Sequence, residues 1–353
     1  MNSGLHSEKG RIFHKKDYLV LDFIKKNFLL FLIIIFTFYS CGKEQKVRVE
    51  QPYTVILKSK VPAFNADEAY KYIEDQIAFG PRNPNSEGHQ KALHFLENEL
   101  RKYTNTVYLQ NFVYTGYNNE RLDLSNIIAK FNPESKNRIF FCAHWDTRPR
   151  SDQDKDPALI NKPILGTNDG ASGVAVILEL ARILKENPVN YGIDLILFDG
   201  EDYGKESDLS NYFLGSKYFA ANIEPDYKPY FGILLDMVGD KQAVFLKEGS
   251  SVQYASDIVN MVWNIAKEIN ATDFNMQEGS AIADDHVPLN QAGLKSIDII
   301  DQELIGDNSP NKRRNYWHTS HDTIDNIGKE TLQQVGDVLT HLIYSLEFSK
   351  KNS

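Results

Sequence analysis

Short, unbroken apolar runs alternate with longer segments of helical spacing, and this alternation constrains the fold more than any other feature of the chain. We predict strands over 126–131, 138–144, 192–200, 230–239 and 295–301, and helices over 66–79, 86–103, 171–186, 212–222, 251–269 and 329–348. Strands that are apolar on both sides need cover on both faces. The pattern therefore predicts one α/β domain in which helices cover both faces of a mixed, mainly parallel twisted sheet.

Acidic and histidine side chains stand where several of these apolar runs stop. One strand ends in His144, with Asp146 two residues later, and another is followed directly by Glu201 and Asp202. Asp236 lies inside the run "GILLDMVG", where a carboxylate without a partner would be costly. Ligands of such sheets collect at the carboxyl ends of the strands. We therefore expect these side chains to converge on one rim of the sheet.

Other segments contribute further groups of the same chemical type. Asp169 lies in "TNDGASG", Asp284 in "IADDHVPL", Asp298 in "SIDII", and Trp317 and His318 in "NYWHTSHDT". Carboxylates and imidazoles without cysteine form a ligand set that suits zinc. Simpler interpretations stay open for the single residues: Asp169 could cap the helix that follows it, and Asp284 could lie in a solvated loop.

The stretch "LILFDGEDYG" poses a geometric problem. Neighbours in a continuing strand point to opposite faces, so Glu201 and Asp202 could not both reach one metal ion from a regular strand. The strand must therefore break here, and Gly200 is the residue at which we expect the chain to turn. After such a turn the two adjacent acids can serve different purposes.

The N-terminal part of the chain has the pattern of an export signal. Two lysines precede the apolar run 28–39, which is short for a membrane span, and Cys41 follows it closely. This arrangement resembles a bacterial lipoprotein signal, with an ordinary signal peptide or a short membrane anchor as alternatives. The expected organisation is a signal peptide over 1–41, a tether leading into a first strand over 42–60, and a catalytic domain over 61–353. We expect an exported protein of the cell envelope or periplasm, anchored to the membrane by lipid on Cys41.

Charge and cysteine content limit the partners. The chain has 39 Lys and Arg against 48 Asp and Glu, a net charge of −9, and no basic patch interleaved with aromatic residues. We therefore expect no nucleic-acid partner. If Cys41 carries lipid, Cys142 is left without a disulfide partner, and its place in an apolar run predicts a buried structural thiol.

Five motifs occur in the order found in the zinc aminopeptidase family M28: "HWD", "TNDGASG", "FDGEDYG", "LLDMVGD" and "YWHTSHDTID". The resemblance extends from about Ala66 to the C-terminus. Within that family the chain most resembles the glutaminyl cyclases of animals and some bacteria, through "FDGED", "DDHVP" and the Trp317-His318 pair. It resembles a bacterial subgroup of them.

The resemblance implies a zinc site and a reaction. Asp169, Asp202 and His318 match the three ligands of a single zinc ion, and Glu201 matches the general acid and base. The implied reaction converts the N-terminal glutamine of peptides or proteins to pyroglutamate and releases ammonia. Peptides and proteins with N-terminal glutamine would then be the substrates.

Further residues match the surroundings of that site. Asp236 and Asp284 match acids that relay protons near Glu201, and Trp317 and Asp298 fall among the residues of the substrate pocket. Animal cyclases carry glutamate at the position of Asp202 and histidine at the position of Asp298. The acidic loop over 151–162 has no counterpart with a role in the family pattern.

Two alternatives to the cyclase remain. His144 matches a position that binds a second zinc ion in the aminopeptidases but not in the cyclases, and Asp146 lies close to it in the chain. A two-zinc aminopeptidase, with Glu201 activating water, is therefore the first alternative. An inactive, envelope-anchored binding protein on the same scaffold is the second. The expected metal content is one zinc ion per chain for a cyclase and two for an aminopeptidase.

Overall fold

A computed structural model describes residues 52–205, 208–306, 309 and 311–349. The predicted signal peptide and Cys41 lie outside these residues. The strands are β1 (Tyr53–Val55), β2 (Thr106–Thr115), β3 (Arg121–Phe131), β4 (Arg138–His144), β5 (Gly192–Phe198), β6 (Gly232–Asp236), β7 (Phe245–Lys247), β8 (Phe274–Glu278), β9 (Ser296–Ile300) and β10 (Leu346–Phe348). The α-helices are α1 (Ala66–Ile77), α2 (Glu87–Tyr103), α3 (Ala171–Glu186), α4 (Leu214–Ala221), α5 (Gly249–Glu268), α6 (His286–Gln291) and α7 (Lys329–Ser345).

A six-stranded sheet with the order β2-β3-β5-β4-β6-β9 forms the centre of the fold. Strands β5, β4, β6 and β9 run parallel to one another, whereas β3 is antiparallel to β5 and β2 is antiparallel to β3. The predicted mixed, mainly parallel sheet is confirmed. Its parallel strands place their carboxyl ends at one rim.

Helices cover both faces of this sheet. Along β4, Ile139 and Phe141 pack into the larger core, which also contains buried residues of α1, α2, α3, α5 and α7. The alternate residues Phe140 and Cys142 face the smaller core, together with Phe219 of α4 and Leu289 of α6. Cys142 is fully buried, and this burial raises the pKa of its thiol well above the ordinary value. The continuous apolar runs follow from this two-sided cover.

Several element boundaries differ from the prediction for local reasons. Strand β2 and residues 121–125 of β3 were not predicted, because β2 alternates between exposed and covered side chains instead of forming an apolar run. The helix predicted from 212 begins at Leu214, since Phe213 has a left-handed backbone conformation with φ of 58°. The final helix stops at Ser345, and β10 then pairs with β1.

Helix starts follow capping rules. Asn65 accepts hydrogen bonds from the backbone of Asp67 and Glu68 at the start of α1, and Ser86 accepts one from His89 at the start of α2. Across the described ranges, the helices lack the combination of length and apolar character that crossing a bilayer requires.

Candidate metal centre and active site

The predicted site residues converge at the rim formed by the carboxyl ends of β4, β5 and β6. His144 ends β4, Asp236 ends β6, and Glu201 and Asp202 lie in the turn after β5. Asp169 lies just before α3, but Gly170 is the residue that caps this helix, and the cap makes no side-chain hydrogen bond. The simpler interpretation of Asp169 as a helix cap is therefore not what the structure shows. All these side chains are buried.

Asp169, Asp202 and His318 form a buried group whose candidate ligand atoms lie within 4.8 Å of one another. The His318 Nε2 atom is 3.2 Å from Asp202 Oδ1 and 3.5 Å from Asp169 Oδ2. Among the described residues, no donor reaches the buried Asp202 Oδ2 atom. Two carboxylates and an imidazole match the ligands that zinc takes, and a buried oxygen without a donor fits a cation nearby. These three residues would hold the zinc ion.

A second buried group shares one member with the first. His144 Nε2 lies 3.1 Å from Asp169 Oδ1 and 3.2 Å from Asp236 Oδ1. Asp169 thus presents one carboxylate oxygen to each group. Burial lowers the pKa of His144, but Asp146, Asp169 and Asp236 outweigh it and raise that pKa well above the ordinary value. The arrangement could accept a second cation at this position.

The turn after β5 separates Glu201 from Asp202 in the predicted way. Gly200 has a left-handed conformation with φ of 70°, and a short 3-10 turn over Glu201–Tyr203 follows. Asp146 fixes this turn: its Oδ1 accepts the Glu201 N–H at 3.0 Å and its Oδ2 the Asp202 N–H at 3.3 Å. Asp146 therefore holds the backbone of the two acids.

Glu201 faces the other acids of the site. Its Oε2 lies 3.9 Å from His144 Nδ1. Burial raises the pKa of Glu201 well above its ordinary value; His144 opposes this effect, and Asp202 and Asp284 reinforce it. Burial, followed by the charges of Asp236 and Asp285, likewise raises the pKa of Asp284 well above its ordinary value. The protein thus disfavours an additional negative charge here, whereas a bound dication would act in the opposite direction.

A cavity of about 320 Å³ opens onto these acids. Its polar wall contains Asp169, Glu201, Asp202, Asp236, Asp284 and His318, and its apolar wall contains Leu209, Tyr212, Phe213, Met237, Ala281, Ile282, Ala283, Ile300, Ile305 and Trp317. The Trp317 ring stacks on the His318 ring, with centroids 3.5 Å apart. The predicted pocket residue Trp317 thus lies on the apolar wall, next to His318 of the first group.

Asp298 lies elsewhere than expected. Ile297 and Ile299 point into the larger core, so Asp298 faces the other side of β9, where it is fully buried. It does not line the cavity; its Oδ2 is 3.8 Å from His286 Nδ1, and His286 Nε2 is 3.1 Å from Glu248. Burial raises the pKa of Asp298 well above its ordinary value, and Asp284 and Glu248 add to this effect. Asp298, which we expected among the residues of the substrate pocket, thus lies next to Asp284 and outside the cavity wall.

Asp322 is a residue of the site that the strand and motif patterns do not predict. Its carboxylate accepts the backbone N–H groups of Asn168 at 2.9 Å and Asp169 at 3.2 Å, and so anchors the segment that carries the shared ligand. The feature of the sequence that could have indicated Asp322 is its place in the motif "YWHTSHDTID", which also contains His318. The neighbouring His321 is exposed and belongs to neither group.

The sequence profile of Peptidase family M28 matches residues 126–343, which include the strands and loops that build the site. The chain belongs to this family. Its fold is that of the zinc-dependent exopeptidases, with a central mixed sheet flanked by helices.

Among solved structures, the chain is similar to bacterial glutaminyl cyclases. It is 44% identical to Tannerella forsythia glutaminyl cyclase, with a TM-score of 0.76 and coverage of 80% of this chain and 99% of that one. It is 42% identical to Bacteroides thetaiotaomicron glutaminyl cyclase bound to N-acetylhistamine, with a TM-score of 0.76 and coverage of 81% and 99%. Among curated relatives, aminopeptidase YwaD of Bacillus subtilis is 31% identical over 215 residues, or 58% of this chain and 40% of that protein. The chain spans between 40% and 65% of the length of the first curated relatives it matches.

Proposed function

We propose that the chain is a zinc-dependent glutaminyl-peptide cyclotransferase that converts N-terminal glutamine to pyroglutamate and releases ammonia. The proposal depends on the position of Glu201. This buried acid lines the cavity beside the group of Asp169, Asp202 and His318. Its raised pKa suits a group that must both take and return a proton. The similarity to the bacterial glutaminyl cyclases supports the same conclusion.

The reaction needs one new bond and one broken bond. The substrate α-amine nitrogen attacks the carbon of the side-chain γ-carboxamide, and the bond from that carbon to the amide nitrogen breaks. Glu201 takes a proton from the amine and delivers it to the departing nitrogen, which leaves as ammonia. Asp169, Asp202 and His318 would hold zinc, which supplies Lewis-acid polarisation of the γ-carbonyl.

The reaction also requires the substrate to be oriented, and the cavity wall can do this. Because nucleophile and carbonyl belong to one substrate residue, the main geometric task is to hold the amine against the γ-carbonyl. Trp317 and the apolar side chains opposite it can pack against the methylene groups of glutamine. Asp236 and Asp284 also lie on the polar wall, and Asp284, whose charge helps to raise the pKa of Glu201, can exchange protons with it.

A dipeptide assay tests the proposal. Gln-Ala is incubated with the purified protein, and the products are identified by mass spectrometry alongside an ammonia assay. Pyroglutamyl-alanine with one ammonia per turnover supports cyclisation, whereas free glutamine and alanine would overturn it. Loss of activity in Glu201→Gln also excludes an inactive binding protein, because such a protein would have no activity to lose.

The second candidate function is a two-zinc aminopeptidase. The group of His144, Asp169 and Asp236 favours it, since Asp169 presents one carboxylate oxygen to each of the two groups, and so does the similarity to an aminopeptidase. In that reaction Glu201 would activate a water molecule that attacks the first peptide bond. Zinc content per chain separates the two: about one ion fits the cyclase and about two fit the peptidase.

We also propose that the protein is exported and held at a membrane by lipid on Cys41, as the N-terminal pattern predicts. Mass spectrometry of the mature protein tests this directly. A mature chain that starts at a lipidated Cys41 supports the proposal, and a mature start elsewhere with an unmodified cysteine contradicts it. The Cys41→Ser variant should then lose its membrane association.

A further inference from the structure

The acidic loop over 151–162 approaches two of the proposed zinc ligands. It follows directly on Arg148 and Arg150, and it packs between the turn after β5 and the segment that carries His318. The loop reaches Asp202 through Arg148, and it contacts the His318 segment directly.

Arg148 links the loop to Asp202. Its guanidinium is almost fully buried and donates to Asp202 Oδ1 at 2.8 Å and to the Asp202 backbone oxygen at 3.3 Å. The same guanidinium donates to both carboxylate oxygens of Asp152, at 2.7 and 2.5 Å. Such a two-pronged arginine–carboxylate pair fixes direction as well as distance. Arg148 occupies one oxygen of Asp202 and leaves Oδ2 without a donor among the described residues.

Asp152 also compensates the charge of Arg148. A guanidinium beside a zinc ligand would repel a dication, but the Asp152 carboxylate neutralises it at hydrogen-bond distance. Its Oδ1 is also 3.9 Å from His318 Nδ1, the ring nitrogen opposite the one that faces Asp169 and Asp202. A carboxylate on this side of a metal-binding histidine favours the orientation of the ring that leaves Nε2 for the metal.

The next residues hold the His318 segment. Asp154 Oδ2 accepts both the backbone N–H of Ser320 at 3.0 Å and its hydroxyl at 2.6 Å. The Gln153 N–H donates to the His318 carbonyl at 3.2 Å. His318 itself has a left-handed backbone with φ of 54°, which is unfavourable for a residue other than glycine and persists only where neighbours hold it.

We propose that Arg148, Asp152 and Asp154 are positioning residues that hold Asp202 and His318 in place to bind zinc. The proposal rests on the zinc site of the proposed function and is independent of whether the reaction is cyclisation or hydrolysis. It gives the acidic loop a role that the resemblance to the family leaves open. The effect is on metal binding, because none of the three residues lines the cavity.

Zinc affinity measured by competition with a chromogenic chelator tests this inference. Asp152→Asn keeps the shape of the side chain but leaves the guanidinium uncompensated, and Asp154→Ala releases Ser320. We expect each to weaken zinc binding by about 10- to 100-fold, the usual effect of removing a group that holds a metal ligand. Asp152→Glu should restore most of the affinity, because it restores the charge.

Asp156→Ala is the matched control. Asp156 lies in the same loop and is exposed, and its side chain accepts the N–H of Ala158 two residues later. The zinc affinity of Asp156→Ala should equal that of the unaltered protein.

Thermal melting of the metal-free proteins separates an effect on stability from an effect on metal binding. After chelator treatment, the Asp152→Asn variant should melt close to the unaltered protein. Ser320→Ala, which removes only one hydroxyl, supplies a milder second test and should also lower affinity.

The outcomes separate the two proposals. Unaltered zinc affinity in Asp152→Asn, Asp154→Ala and Ser320→Ala overturns the positioning role while leaving the proposed function intact. A metal-free melting temperature that falls while zinc affinity stays constant also overturns it, since the residues would then serve stability alone. If the unaltered protein binds zinc but does not cyclise glutamine, the proposed function fails and the positioning role stands.

Discussion

The carboxylate of Asp146 accepts the backbone N–H of Glu201 at 3.0 Å. This bond, with its companion to the next residue, closes the turn at the end of β5 and gives two adjacent acids different directions. Glu201 is thereby available to the substrate, and Asp202 belongs to the proposed zinc group. A third acid, Asp146, therefore holds the backbone that directs the two neighbouring buried acids to different places.

Removing that third acid should damage the site and the fold together. Asp146→Ala leaves two buried N–H groups without an acceptor, each costing about 1–3 kcal/mol of stability. We expect a lower free energy of unfolding in denaturant and a lower zinc content. The control is Asp123→Ala, an exposed acid paired with Arg121, which should change the stability little. An Asp146→Ala variant as stable as the unaltered protein would contradict this account of the turn.

The two adjacent acids should respond differently to substitution. Asp202→Ala removes a proposed ligand, so zinc content should fall towards zero. Glu201→Gln keeps the size of the side chain but cannot take a proton, so zinc content should persist while kcat falls by about 10²- to 10⁴-fold. Metal analysis and steady-state kinetics on the same preparations measure both. Loss of zinc from Glu201→Gln would show that this assignment of roles is wrong.

The pH profile should report the acid cluster. Glu201 must be ionised to take the proton of the amine, so kcat/KM should fall as the pH drops through its pKa. Burial raises that pKa, His144 opposes the increase, and Asp202 and Asp284 add to it. Asp284→Asn removes one of these negative charges, and the acidic limb of the profile due to the enzyme should therefore move to lower pH.

The substrate amine titrates in the same way with the unaltered protein and with Asp284→Asn. Only the limb of the pH profile that is due to the enzyme should therefore differ between them. A limb at the same pH in Asp284→Asn, or at higher pH, would mean that Asp284 does not act on Glu201. Zinc content measured in parallel keeps this comparison free of metal loss.

Trp317 should affect substrate binding more than chemistry. Trp317→Ala removes an aromatic surface from the cavity wall and from the His318 ring. We expect KM for Gln-Ala to rise by about 2- to 10-fold, which corresponds to an aromatic contact of about 0.5–1.5 kcal/mol. Trp317→Phe keeps an aromatic ring, so its KM should lie between those of the unaltered protein and Trp317→Ala. An unchanged KM in Trp317→Ala would remove this residue from the substrate pocket.

The sequence predicts the sheet and most of the site because both depend on local pattern. Strand β4 and helix α3 begin and end where predicted, since their apolar periodicity ends sharply at polar residues. The convergence of Asp169, Asp202 and His318 follows from strand ends and from the family resemblance. Strand β2 escaped prediction because an edge strand with one covered face lacks a continuous apolar run.

The residues that hold the ligands were harder to find. Arg148 and Asp322 act through partners 54 and 153 positions away in the chain, and only the tertiary fold brings them into contact. Asp298 was misplaced because its run "SIDII" does not reveal which side of β9 it faces. The sequence therefore shows the chemistry of the site better than the contacts that orient it.

Cyclisation and hydrolysis are separated when the zinc-loaded protein receives a glutaminyl peptide and an amino-acid amide side by side, at equal concentration, with zinc content measured on the same sample. We expect release of ammonia from the glutaminyl peptide with its peptide bond intact, little turnover of the amide of an apolar amino acid, and about one zinc ion per chain. Rapid hydrolysis of that amide with free glutamine from the peptide, and about two zinc ions per chain, would contradict it and identify an aminopeptidase.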